Sequence, residues 1–182
     1  MSKKKAEKEK EENPIFIYLG AKDGRKIKVR RKYVKEVGLI KDMFEVAETD
    51  YEDEEIPDNF IIPLPNAPYE ALEKLVEYYT HHWGNEAERI PKPIFFSLDD
   101  YISTWDKSFL DDLDIPELIQ LILCANYVNA PELLNLCTAK VGSMLLDNNP
   151  EQIRKTFGIV NDHTPKEEKI IKQEGIWCSL YK

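Results

Sequence analysis

Cysteine is scarce. Cys124, Cys137 and Cys178 stand 13 and 41 residues apart, and no Cys-x-x-Cys pair occurs. An odd count at such spacings suggests neither a zinc site nor a disulfide framework, and points to a reducing compartment. Long apolar runs are missing too. The best, Leu118 to Val128, has 11 residues and is interrupted by Gln120 and Asn126. That is too short for a membrane span. The N-terminal MSKKKAEKEKEENP has no apolar stretch, so no secretory signal is expected. There is no Gly-rich phosphate loop and no serine elbow. The acidic run Asp50 to Glu55 lacks the central glycine and terminal glutamate of a calcium loop. Positive charge is outweighed: the net charge is −9 and the pI is about 5.0. Nucleic acid is therefore not the expected main partner.

What is present suffices for a folded domain. The chain has 182 residues, 42% apolar and 32% charged. That length supports one domain with appendages and a core needing no covalent staple. Charge is segregated. Residues 13–41 carry nine bases and two acids, residues 42–60 nine acids and no base, and residues 98–117 a net −6. Like charges at such density repel and extend a chain, so both acidic blocks read as solvated loops. The loops at 48–59 and 84–98 are expected to bury little. Residues 1–12 alternate charge without an apolar face and read as a disordered tail.

Between these blocks the periodicities are clear. Ile15 to Leu19 is a β-branched and aromatic run. The turn Ala21-Lys22-Asp23-Gly24 follows, and Lys26 to Arg30 alternates polar with apolar. This predicts a hairpin with one solvated face. Val34, Val37, Ile40, Phe44 and Val46 predict an amphipathic helix over 33–47. Phe60 to Leu64 is a third strand, placed at an edge by Pro63. Leu72, Leu75, Val76 and Tyr79 stripe a helix from Ala67 or Pro68 to His81, and residues 83–98 read as loop. Pro116 opens a helix to Val128, and Pro131 opens another to Leu146. Asn149-Pro150-Glu151-Gln152 caps a short helix to Phe157. Thr164-Pro165-Lys166-Glu167 forms a capping box for a last one. The order is β-β-α-β-α-loop-α-α-α-α, an α+β unit followed by helices.

The last 36 residues carry Ile153, Phe157, Ile159, Ile170, Ile171, Ile176 and Trp177 on short helices. Such helices are marginal alone. They either fold back on the body or await a partner. Two other features invite chemistry. His81-His82 with nearby acids suggests a metal or acid–base site, but adjacent helical residues diverge, and structural histidines are the ordinary alternative. The basic stripe from Lys22 to Lys35 suggests a nucleic-acid surface, but alternate bases on an exposed strand are ordinarily just solvated.

Several strings are specific. They are Trp105-Asp106-Lys107-Ser108-Phe109-Leu110, Ala125-Asn126-Tyr127-Val128, Pro150 to Ile159, Asn161-Asp162-His163-Thr164-Pro165 and Trp177-Cys178. Ile62-Pro63-Leu64-Pro65-Asn66 and Thr80-His81-His82 precede them. In order and spacing they resemble the S-phase kinase-associated adaptor family of SCF ubiquitin ligases, over roughly residues 15–180. Departures are local. Ser103 stands where the family has proline before Trp-Asp, Thr138 where it has cysteine, and Asp147-Asn148-Asn149 where it has Lys-Gly-Lys-Thr.

The resemblance implies a POZ/BTB fold over 13–146, a small three-stranded sheet with helices, plus a C-terminal helical extension over 147–182 for F-box binding. It implies a non-catalytic subunit, without cofactor or metal, that bridges a cullin to F-box proteins in cytoplasm and nucleus. By that resemblance Asn126 and Tyr127 face the cullin. Leu134, Val141, Ile153, Phe157, Ile159 and Trp177 grip the F-box, and residues 147–182 become ordered on it. For Tyr127 and the apolar set, ordinary core is the alternative. Self-association of the free chain, as a homodimer, is a further expectation. The competing assignments are an elongin-C-like adaptor, which residues 147–182 argue against, and an F-box-binding subunit of a non-ligase complex.

Overall fold

The computed structural model describes residues 15–46, 60–85, 89–92, 97–146 and 148–179. The tail 1–12, the loop 48–59 and part of the loop 84–98 lie outside them. Strands β1 (Phe16–Gly20) and β2 (Lys26–Arg30) form the expected hairpin, with Phe16 opposite Arg30 and Gly20 opposite Lys26. Strand β3 (Ile61–Pro63) pairs parallel to β1, so the order is β2-β1-β3 and Pro63 sits on an edge strand. Alternation sends Ile17, Leu19, Val29 and Ile62 inward, where all are buried.

The helix expected over 33–47 is two pieces, α1 (Arg31–Val34) and α2 (Gly38–Val46). The break has a tertiary cause. The N–H groups of Gly38 and Leu39 donate to the carbonyls of Asn129 (3.0 Å) and Val128 (2.9 Å), which follow a later helix. Those carbonyls satisfy donors that a continuous helix would have used internally. The approach requires glycine. A Cβ on Gly38 would stand 2.8 Å from Asn129 Cγ and 2.9 Å from its Cβ. Gly38→Ala is therefore expected to cost about 1–3 kcal/mol by overpacking. Asn129 has φ 54°, which glycine tolerates. The double variant Gly38→Ala/Asn129→Gly should thus recover the loss, as read from urea midpoints. A double variant no more stable than Gly38→Ala would place the strain elsewhere.

Helix α3 (Tyr69–His81) buries Leu72, Leu75 and Tyr79 as expected, with Ala71 and Tyr78, while Val76 is half-buried. Pro68 is its N-cap and not part of its first turn. Residues 98–117 are not the solvated loop that their charge suggested. They hold a 3-10 turn (Leu98–Asp100), helix α4 (Thr104–Asp111) and the start of α5 (Ile115–Tyr127). Leu98, Phe109 and Leu110 are core, so the end of the 84–98 loop carries a buried side chain. Likewise residues 42–46 belong to α2. The acids of 98–117 sit where helices use them: Asp114 caps α5 and shares a full capping box with Glu117.

Helices α6 (Pro131–Leu146), α7 (Pro150–Phe157) and α8 (Pro165–Ser179) complete the chain. It divides into two compact units after Ser143. In the first, α3 packs on both β2 and α5. In the second, Asn149 and Gln152 exchange capping bonds at 2.9 Å. Gly158, at φ 64°, ends α7 in a left-handed turn, and both its N–H and that of Ile159 donate to Arg154 O. Thr164 and Glu167 form the capping box of α8.

Candidate functional site

Helix α5 presents two faces because it has more apolar residues than one stripe can hide. Leu118, Leu121, Cys124 and Ala125 are buried. One turn apart on the other side, Ile119 is 41% and Leu123 64% exposed. The row continues into Asn126, exposed, and Tyr127, half-buried. The two residues singled out from the sequence thus share a bare surface with Ile119 and Leu123. Those two were missed, although the near-continuous apolar character of 115–128 was their signal. The ordinary-core alternative for Tyr127 is half right, since part of the ring is covered.

Leu134 and Val141 lie seven residues apart on α6 and are both half-buried, beside the fully buried Leu133, Leu136 and Cys137. Thr138, where the family has cysteine, is exposed and donates its hydroxyl to Leu134 O at 2.7 Å. In the second unit no residue of α7 is buried. Ile153 and Phe157 share one half-buried face. Ile159 is 54% and Val160 82% exposed, and Ile170 and Ile171 of α8 are half exposed. Arg154 Nη1 reaches Glu168 Oε1 at 4.0 Å, linking α7 to α8. Trp177 falls within α8, and its side chain lies outside the described residues.

His81 and His82 both contact helix α4. His82 Nε2 stands 2.9 Å from Asp106 Oδ1, and the Ser103 hydroxyl donates to Asp106 Oδ2 at 2.8 Å. Asp106 is 3% exposed, and its own N–H donates back to Ser103 Oγ at 3.1 Å. The serine in place of proline is therefore the N-cap of α4. His81 and His82 do not diverge: both lie on Trp105, the first stacked at 3.8 Å and the second edge-on at 5.6 Å. Burial, and then the Asp106 carboxylate, hold the Tyr78 phenol above its ordinary range. Among the described residues no group of three or more His, Cys, Asp or Glu is placed to hold a metal, and no helix is long and apolar enough to cross a membrane.

Burial pushes the thiols of Cys124 and Cys137 up to about 12. The thiolate is the reactive form, so at pH 8 alkylation should be slowed by about a thousandfold relative to an ordinary thiol. Iodoacetamide on the native chain is expected to leave both unmodified by peptide mass mapping, and to label both in urea. Labelling of either in the native chain at the rate of an ordinary thiol would show that its helix opens readily.

A three-stranded sheet backed by helices and followed by a pair of capped helices is a mixed α+β fold with a helical extension. The comparisons place it. Residues 15–83 match the tetramerisation domain of the Skp1 family, and residues 131–178 match the dimerisation domain of the same family. The chain is 38% identical to an S-phase kinase-associated protein 1 homolog of Tetrahymena thermophila over 84% of its own length and 87% of that protein's. It is 34% identical to the E3 ubiquitin ligase complex SCF subunit sconC of Emericella nidulans, over 90% of this chain and 96% of that one. The chain belongs to the Skp1 family, and its first unit has the POZ fold.

Proposed function

We propose that this chain is the adaptor subunit of an SCF-type E3 ubiquitin ligase, a non-catalytic bridge between a cullin scaffold and F-box substrate receptors. The observation that carries this reading is the presence of bare apolar surface in each of the two units. One is the Ile119–Leu123–Asn126–Tyr127 row. The other is the set on α7, α8 and their connection. A chain that worked alone would hide such groups. The first row receives the cullin. Leu134 and Val141 of α6, with Ile153, Phe157, Ile159 and Trp177, receive the F-box helices. Residues 147–182 are more than an elongin-C-like adaptor would need. The free chain self-associates through the surfaces its partners would cover.

Reconstitution tests the reading. The full chain, a cullin N-terminal domain and an F-box segment should co-elute as a ternary complex in gel filtration. Failure of the chain to join cullin and F-box in one species overturns it. Within that assay Trp177→Ala is expected to weaken the F-box by at least about 2 kcal/mol, as interface tryptophans do, and to leave the cullin untouched. An unchanged F-box affinity would remove Trp177 from the contact.

A further inference from the structure

The sheet has a second face that the adaptor reading does not use. Cross-strand partners share a face. The register therefore puts Lys26, Lys28 and Arg30 of β2 beside Gly20, Tyr18 and Phe16 of β1, with Ile61 and Pro63 of β3 beyond. This face is the reverse of the one buried in the core. The three basic side chains are exposed, Phe16 and Tyr18 are half-buried, and Ile61 and Pro63 are exposed.

Among the described residues the edge of β2 is open as well. Arg31 N donates to Ile15 O at 3.0 Å, and Ala21 N donates to Arg25 O at 2.8 Å. In an antiparallel ladder bonded pairs recur every second residue, so the pairs between these are Ile17 with Val29 and Leu19 with Ile27. Tyr18 and Gly20 accordingly bond the other way: Tyr18 N donates to Phe60 O and Gly20 O accepts from Leu64 N, both at 2.8 Å. The N–H and C=O of Lys26 and Lys28 thus point out of the sheet, and among the described residues nothing pairs with them.

We infer that the β2 edge is a docking site for an extended acidic segment of a partner protein, added as a fourth strand. Main-chain bonds to Lys26 and Lys28 set its register. Its alternate carboxylates fall beside Lys26, Lys28 and Arg30, because both strands repeat every second residue. Lysines on an edge guard against indiscriminate pairing, and here they select the sign of the partner. A second copy of β2 brings the same charges and is repelled. Single-stranded nucleic acid is disfavoured for a separate reason. The Phe16 ring that could stack a base already holds Lys28 Nζ at 4.3 Å and the Arg30 guanidinium at 5.9 Å from its centroid. A base would have to displace them, whereas a carboxylate adds to them.

The test uses the full chain and a short fluorescein-labelled peptide alternating glutamate with threonine, read by anisotropy. Saturable, salt-sensitive binding is expected, with new exchange protection at the Lys26 and Lys28 amides. Lys26→Glu/Lys28→Glu should weaken it by about tenfold or more. N-methylation of every second peptide nitrogen should do the same in one parity and not in the other, which decides the matter on the unmutated chain even if the charge reversal disturbs folding. Equal binding of both N-methylated peptides overturns strand addition. Tighter binding of a thymidine oligonucleotide than of the peptide, or no binding of the peptide, overturns the site.

Discussion

Asp106→Ala is expected to lower the stability of the chain by about 2–4 kcal/mol, more than any exposed ion pair could. The carboxylate accepts from the Ser103 hydroxyl at 2.8 Å and lies 2.9 Å from His82 Nε2, and it is almost wholly inaccessible. Removing it takes the acceptor from the Ser103 hydroxyl proton, whose oxygen keeps the N–H of residue 106, and the partner from His82 Nε2, each loss costing about 1–3 kcal/mol when water cannot replace the bond. Ser103 and His82 are half-buried, so some hydration returns, which places the sum below the upper limit. The helix cap is weakened at the same time, since Ser103 Oγ loses the group that orients it. Trp105, stacked between His81 and Phe109, transmits the change to the α3–α4 contact. Urea unfolding should show a lower midpoint at unchanged slope. Asp106→Asn, which keeps one acceptor, should fall between. By contrast Asp111, held below the usual carboxylate range by the Lys140 ammonium, is exposed, and its loss should move the midpoint little. An Asp106→Ala midpoint within error of the parent would mean that water already reaches the carboxylate.

The same residues show what the sequence could and could not reveal. Asn149 with Gln152, and Thr164 with Glu167, were legible because a capping box is local: four consecutive residues contain the whole interaction. The hairpin and the inner stripe of α3 were legible because periodicity reports which face must be dry. Three things were not. The break before Gly38 is caused by carbonyls at 128 and 129, some ninety residues away. The burial of Asp106 depends on His82, the residue that caps the C-terminus of α3. The acids of 98–117, summed as charge, suggested repulsion and solvent, whereas Asp114 and Asp106 each serve one helix start. A net charge carries no information about where single hydrogen bonds fall. The bare row on α5 was half visible: Asn126 and Tyr127 came from a resemblance, while the near-continuous apolar run 115–128 signalled a second apolar face without saying that Ile119 and Leu123 form it, which takes the buried side of that helix to decide.

That row supports the second large effect. Asn126→Lys with Tyr127→Lys is expected to reduce cullin affinity by at least about a hundredfold and to leave F-box affinity within about twofold. Two ammonium groups driven into a closed contact without partners cost several kcal/mol, and each 1.4 kcal/mol is tenfold. The F-box should be indifferent, because none of the residues proposed to hold it lies on α5. Tyr127 is half-buried, so part of the loss could come from a destabilised helix end. Leu123→Arg separates the two. At 64% exposure this leucine contributes little to the core, yet it sits one turn from Tyr127 on the same side. If the row is the cullin face, Leu123→Arg should lose most of the affinity while melting at the parent temperature by circular dichroism. Unaltered cullin binding in a folded Leu123→Arg chain, together with retained binding in the double variant, would move the cullin off α5 altogether.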